Sequence, residues 1–107
     1  MDDELDGLGR FAGPATLILA SLAQGAKHGY AIIQDVEAFA GVRLQPGTLY
    51  GALGRLDHDG LIEALADEGR RRPYGITPRG AQALHAQLTA QQRVAEIGLR
   101  RLSPGLT

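Results

Sequence analysis

The sequence predicts a mainly helical α+β fold: three short helices, a small two-stranded hairpin and one long final helix. Three observations lead there. Apolar residues recur at helical spacing in three segments between residues 15 and 59, each followed by a glycine. Two short strand-like runs then flank Gly69. Thr77-Pro78 opens a last periodic segment that continues to Leu102.

The elements follow in order. Residues 1–13 read as an acidic N-terminal arm, with Asp2, Asp3, Glu4 and Asp6 ahead of Leu8 and Phe11. Ala15 to Gln24 is apolar nearly all round, which suggests a buried helix, and Gly25 ends it. His28 to Ala40 forms a second helix with Ile32, Ile33, Val36, Phe39 and Ala40 on its inner face. Pro46 suits a first helical position because its missing N–H is not needed there. The third helix runs to about Asp59, with Leu49, Leu53 and Leu56 as its buried stripe. Thr48, Gly51, Arg55 and His58 fall on its other side. Leu61 to Ala66 and Arg72 to Thr77 read as strands joined through Asp67-Glu68-Gly69-Arg70.

Thr77 is a good N-cap for the last helix and Pro78 a good first residue. From Pro78 to Leu102 the helix spans ~37 Å at about 1.5 Å per residue. Leu84, Leu88, Gln91, Ala95, Leu99 and Leu102 make one apolar stripe; Ala83, Ala90, Val94 and Ile97 make a second. A long helix with two stripes needs a partner on one of them, and a second copy of the chain is the expected one. Either stripe can supply the seam.

Composition narrows the function. The chain has 107 residues, 44% hydrophobic and 21% charged, which fits one globular domain and excludes a disordered or collagen-like chain. Cysteine is absent, which excludes disulfides and thiolate-held zinc or iron–sulfur centres and fits a reducing cytoplasm. The longest apolar run, Pro14 to Ala23, is far short of the roughly 18 residues of a membrane span. Acidic residues precede it, so no secretory signal and no membrane partner are expected. Charge is asymmetric. Residues 1–40 carry two basic and six acidic side chains, and residues 41–107 carry nine and six. The basic excess lies at Arg70, Arg71, Arg72 and Arg79, and again at Arg93, Arg100 and Arg101, which points to an anionic partner for the second half.

Four motifs in order sharpen this. Gly25-Ala26-Lys27-His28-Gly29-Tyr30 resembles the G-x-x-H-G-Y signature that opens the second helix of PadR-family transcriptional regulators. Leu44-Gln45-Pro46-Gly47-Thr48-Leu49-Tyr50 resembles that family's l-S-P-G-T-L-Y, which opens the recognition helix. Ala52-Leu53-Gly54-Arg55-Leu56, followed by Asp59-Gly60-Leu61-Ile62, is similar to the continuation of that helix. Arg70-Arg71-Arg72-Pro73-Tyr74-Gly75-Ile76-Thr77-Pro78-Arg79-Gly80 is similar to its wing and the segment after it. The resemblance covers roughly residues 15–85. Gln45 stands where the family has Ser, and Gly54 and Gly75 stand where it often has a basic residue. The last helix lacks the tryptophan on which some members stack flat drugs.

The resemblance implies a winged helix over residues 14–77 and a C-terminal dimerisation helix over residues 78–107. It also implies a homodimeric repressor, often released by a small molecule. DNA contacts are then expected from Tyr30, Thr48, Tyr50, Gly51, Arg55, Arg70, Arg71, Arg72 and Tyr74. The third helix would enter the major groove and the arginine-tipped wing would lie on phosphates or in the minor groove. Dimer contacts are expected from Leu84, Leu88, Ala95, Leu99 and Leu102. The partner would be a pseudo-palindromic DNA duplex.

Plainer roles exist for several of these side chains. Tyr50 can pack on the second helix, and Arg55 can pair with Asp59. Arg70 to Arg72 can be a solvated turn. His28 suits a structural hydrogen bond better than a DNA contact. His28, His58 and His85 do not share a helical metal spacing, so no metal site is expected. Neither is a cofactor or a catalytic residue: there is no phosphate loop, no nucleophile elbow and no Ser–His–Asp set. The rival reading is a dimeric winged-helix module that binds protein and no DNA.

Overall fold

The computed structural model describes residues 13–66, 69 and 71–103. The acidic arm expected over residues 1–13 therefore lies outside the described residues except for Gly13, and so does Arg70. Six elements follow in chain order: α1 (Gly13–Ala23), α2 (Gly29–Ala40), α3 (Pro46–His58), β1 (Ile62–Ala64), β2 (Tyr74–Ile76) and α4 (Pro78–Leu102). The fold is a winged helix.

α1 sits at the centre and touches α2, α3, α4 and β2. That placement explains why it is apolar on all sides rather than along one stripe. Leu17, Ile18, Leu19 and Leu22 are all buried in it. Around it close Ile32 and Val36 of α2, Leu49, Ala52, Leu53 and Leu56 of α3, Ile62 of β1 and Leu84 of α4. Truncating a fully buried leucine or isoleucine here to Ala costs about 2–5 kcal/mol. One polar network crosses this core. Ser21 Oγ donates to Asp35 Oδ2 at 2.7 Å, and Lys27 Nζ donates to the Ser21 carbonyl and lies 3.9 Å from Asp35. It ties the end of α1 to α2 and leaves no buried side-chain polar atom unpaired among the described residues.

The caps set the boundaries. His28 caps α2 by accepting from the Ala31 N–H, and the Gly41 N–H closes its end onto the Glu37 carbonyl. Phe39 and Ala40 are exposed, because the last turn of α2 runs past the core that Ile32 and Val36 face. Gln45 precedes α3 with no side-chain cap, as expected of glutamine. Thr77 caps α4 and ties it to the turn after α3: its Oγ1 accepts from the Gly80 N–H at 3.0 Å and donates to the Gly60 carbonyl at 2.7 Å.

The strands are shorter than the sequence predicts. β1 and β2 pair antiparallel across Ile62–Ile76, Glu63–Gly75 and Ala64–Tyr74, flanked by hydrogen bonds from the Leu65 N–H to the Pro73 carbonyl and from the Thr77 N–H to the Leu61 carbonyl. One further pairing joins Lys27 to Tyr74, with reciprocal backbone hydrogen bonds of 3.1 and 2.9 Å. The wing is thereby stitched on both sides of Tyr74, to β1 and to the residue that precedes the His28 cap.

α4 leaves the core soon after it starts. Gly80 and Leu84 are its buried residues. Leu84, counted in the dimer stripe from its spacing, is 6% exposed and belongs to the core cluster at the root of the helix. Beyond it Leu88, Val94, Leu99 and Leu102 are exposed. No described helix is long and apolar enough to cross a membrane.

Candidate nucleic-acid interface

α3 has two clean faces. Leu49, Ala52, Leu53 and Leu56 point inward. Thr48, Gly51, Gly54, Arg55 and His58 point to solvent. The outward face thus offers a hydroxyl, a guanidinium and an imidazole between glycines, and glycines let a partner's backbone approach closely. Arg55 forms no ion pair with Asp59; its Nη1 lies back over Gly51, where an added Cβ would stand 3.7 Å away. Among the described residues the ion pairs are Lys27–Asp35 and Arg43–Glu37, and Arg55 belongs to neither.

The start of α2, Tyr50 of α3 and the wing converge beside that face. Tyr30, Tyr50, Arg71, Arg72 and Tyr74 line a cleft of about 260 Å³ with His28 and Gly29. Tyr30 and Tyr50 are 61% and 57% exposed. Tyr50 does lean on α2: a Cβ at Gly29 would stand 2.6 Å from its hydroxyl and 3.0 Å from Cζ. Gly29 therefore makes the room that Tyr50 occupies. Arg71 Nη1 lies 3.2 Å from His28 Nε2, joining the wing to the cap of α2. Tyr74 holds the wing by its backbone and is half-buried against the core.

The residues expected to touch DNA thus fall into two adjacent groups. Thr48, Gly51 and Arg55 stand on the outer face of α3; Tyr30, Tyr50, Arg71, Arg72 and Tyr74 stand around the cleft. Two members of the cleft were not among them, His28 and Gly29. Their signal was the run His28-Gly29-Tyr30 itself, a capping residue next to a residue without a side chain. Among the described residues no group of three His, Asp or Glu side chains comes together.

A second concavity lies at the root of α4. Ala23, Ile76, Ala81, Leu84, His85 and Leu88 surround an apolar groove of about 290 Å³. It opens toward the exposed stripe of the same helix through Leu88, which is 43% exposed.

Comparison with known proteins agrees with this architecture. The model of the family described as "Transcriptional regulator PadR-like family" matches residues 18–86. An uncharacterized 37.1 kDa protein of a Streptomyces fradiae transposon is 43% identical over 79 residues, covering 74% of this chain and only 23% of that longer protein. A transcriptional regulator of Mycobacterium tuberculosis is 37% identical over 81 residues, covering 73% of this chain and 75% of that one. The crystal structure of a PadR family transcriptional regulator from Eggerthella lenta superposes with a TM-score of 0.73 at 27% identity, over 96% of this chain and 91% of the other. By the family match, the winged-helix order and the motifs at the starts of α2 and α3, the chain belongs to the PadR-like family of transcriptional regulators.

Proposed function

We propose that the chain is a homodimeric repressor that binds operator DNA through α3 and the wing. The observation that carries this reading is the junction of the outward face of α3 with the arginine-bearing cleft. One surface holds a helix narrow enough for a major groove and, beside it, Arg71 and Arg72 for the flanking phosphates. Arginine suits that role because its charge is permanent and its donor fork matches phosphate oxygens. The overall charge of −1 does not oppose it, since the basic residues are gathered on the second half of the chain.

The dimer reading rests on α4. A helix of 25 residues that buries only Gly80 and Leu84 in its own fold leaves Leu88, Val94, Leu99 and Leu102 exposed among the described residues. A partner's α4 would bury them, and two-fold symmetry would then set the two copies of α3 about 34–36 Å apart, or a multiple of that, along the duplex. The groove at the root of α4 suits a small apolar effector. Such a ligand acts only if it binds one spacing of the two α3 helices better than the other.

The test is a mobility shift with the chain's own upstream DNA, at low and near-physiological salt, against random competitor. A shift that resists competitor and weakens with salt supports the reading, because each neutralised phosphate releases counterions. A folded dimer that gives no shift at low salt sinks it and turns the search to a protein partner.

A further inference from the structure

His28 has two contacts that constrain each other. Its Nδ1 accepts from the Ala31 backbone N–H at 3.4 Å, and its Nε2 faces Arg71 Nη1 at 3.2 Å. A backbone N–H can only donate, so Nδ1 must present its lone pair. In the neutral ring the proton then sits on Nε2. A guanidinium nitrogen also only donates. The contact between helix cap and wing therefore brings two donors together, and neither can satisfy the other. Both are open to solvent, where water accepts from each, and one anionic oxygen between them accepts from both at once.

The surroundings say what kind. Arg72 and the hydroxyl-bearing Tyr30 and Tyr50 line the same cleft, and no carboxylate does among the described residues. The cleft opens beside the outward face of α3, with both tyrosines more than half exposed. An anion that reaches it lies along the surface rather than in a closed cage. A backbone phosphate has that shape, and its oxygens each take two donors.

We infer that His28 is a DNA-contacting residue: its Nε2–H and the Arg71 guanidinium share one backbone phosphate, and the α2 cap fixes the ring tautomer that makes this possible. The inference rests on the DNA-binding reading above. His28 then acts as a neutral donor that positions the duplex and carries no sequence information. It also links the wing to α2, so the wing closes on the phosphate with a helix start already oriented behind it.

The test uses fluorescence anisotropy of a labelled random-sequence duplex. His28→Asn keeps a capping oxygen for α2 but is too short to present a donor where Nε2 stands. Its melting temperature should match the parent's. It should weaken duplex binding about tenfold with an unchanged salt slope, because a neutral donor releases no counterion. Arg71→Ala should weaken binding and lower the slope by about one. The double variant should lose less than the product of the two single losses, since both act on one phosphate.

Other outcomes overturn the inference in distinguishable ways. If His28→Asn binds like the parent while Arg71→Ala is weakened, His28 is a cap alone and the DNA reading stands. If the parent itself fails to bind the duplex at low salt, both fall. Nitrogen-15 NMR of the histidine ring in the full chain supplies a test independent of DNA: a proton on Nδ1 refutes the tautomer argument. Inorganic phosphate at matched ionic strength should leave the His28 resonances in place; saturation by it would assign the cleft to a free anion instead.

Discussion

The two ends of α4 obey different rules. At its root the helix is pressed against its own fold: Gly80 is buried, Leu84 is 6% exposed, and a Cβ on Gly80 would stand 2.0 Å from the Leu61 carbonyl oxygen. Along its shaft none of the described residues covers it: Leu99 is 68% exposed, Leu102 is 79% exposed, and a Cβ on Gly98 would meet nothing within 4 Å. One helix with one apolar periodicity thus serves two purposes. The root holds the winged helix together, and the shaft offers apolar surface to something else. Substitutions at the two ends should separate stability from association.

The largest effect is expected at the root. Gly80→Ala drives a methyl group into backbone, which cannot step aside as a side chain can. It should cost about 3 kcal/mol or more, read as a large fall in melting temperature. A variant with the parent's stability would mean that α4 can shift on Leu61 freely, and the division between root and shaft would dissolve. On the shaft, Leu99→Asp should leave the fold intact and weaken the dimer more than a hundredfold, about 3 kcal/mol, by placing an unpaired charge in the seam. Analytical ultracentrifugation over a concentration series decides it. Dimer mass that survives the change moves the seam to the stripe of Ala83, Ala90, Val94 and Ile97.

The shaft should not matter to the local grip of the wing on DNA, and the wing arginines should not matter to either end of α4. Arg71→Ala combined with Arg72→Ala should leave melting and dimer mass unchanged. Duplex binding should weaken, and the salt slope should fall by about two, one for each phosphate no longer neutralised. A slope that stays put would take these arginines off the phosphates.

The root also marks where sequence reasoning stops. Boundaries were legible wherever one residue type acts locally. Thr77-Pro78 opened α4, Pro46 opened α3 and Gly41 closed α2, because capping and backbone restriction depend on neighbours in the chain. The outward face of α3 was legible too, since Thr48, Gly51 and Arg55 simply lie opposite the leucines. Contacts between distant segments were not. Gly80 reads in sequence as a weak spot in a helix, yet Leu61 requires it. The pairing of Lys27 with Tyr74 is a single bridge and leaves no alternating pattern to find. Leu84 shares the spacing of Leu88 and Leu99, but only the packing of the helix root against α1 and β2 decides that it is buried.

The smallest effect is the most discriminating, because the same substitution should change sign along one helix. Gly98→Ala meets open space and removes a glycine from a helix interior, so it should stabilise the chain by up to about 1 kcal/mol. Gly80→Ala, eighteen positions earlier, should do the reverse. The Gly98 variant also locates the seam. Gly98 lies one position from Leu99, and a step of one residue turns the helix through about 100°. If the seam follows Leu88, Ala95, Leu99 and Leu102, the added methyl points beside it, and melting temperature rises with dimer affinity unchanged. If Ala at this position raises the stability of the monomer but loosens the dimer, two shafts approach each other through Gly98, and the contact is closer than a leucine seam allows.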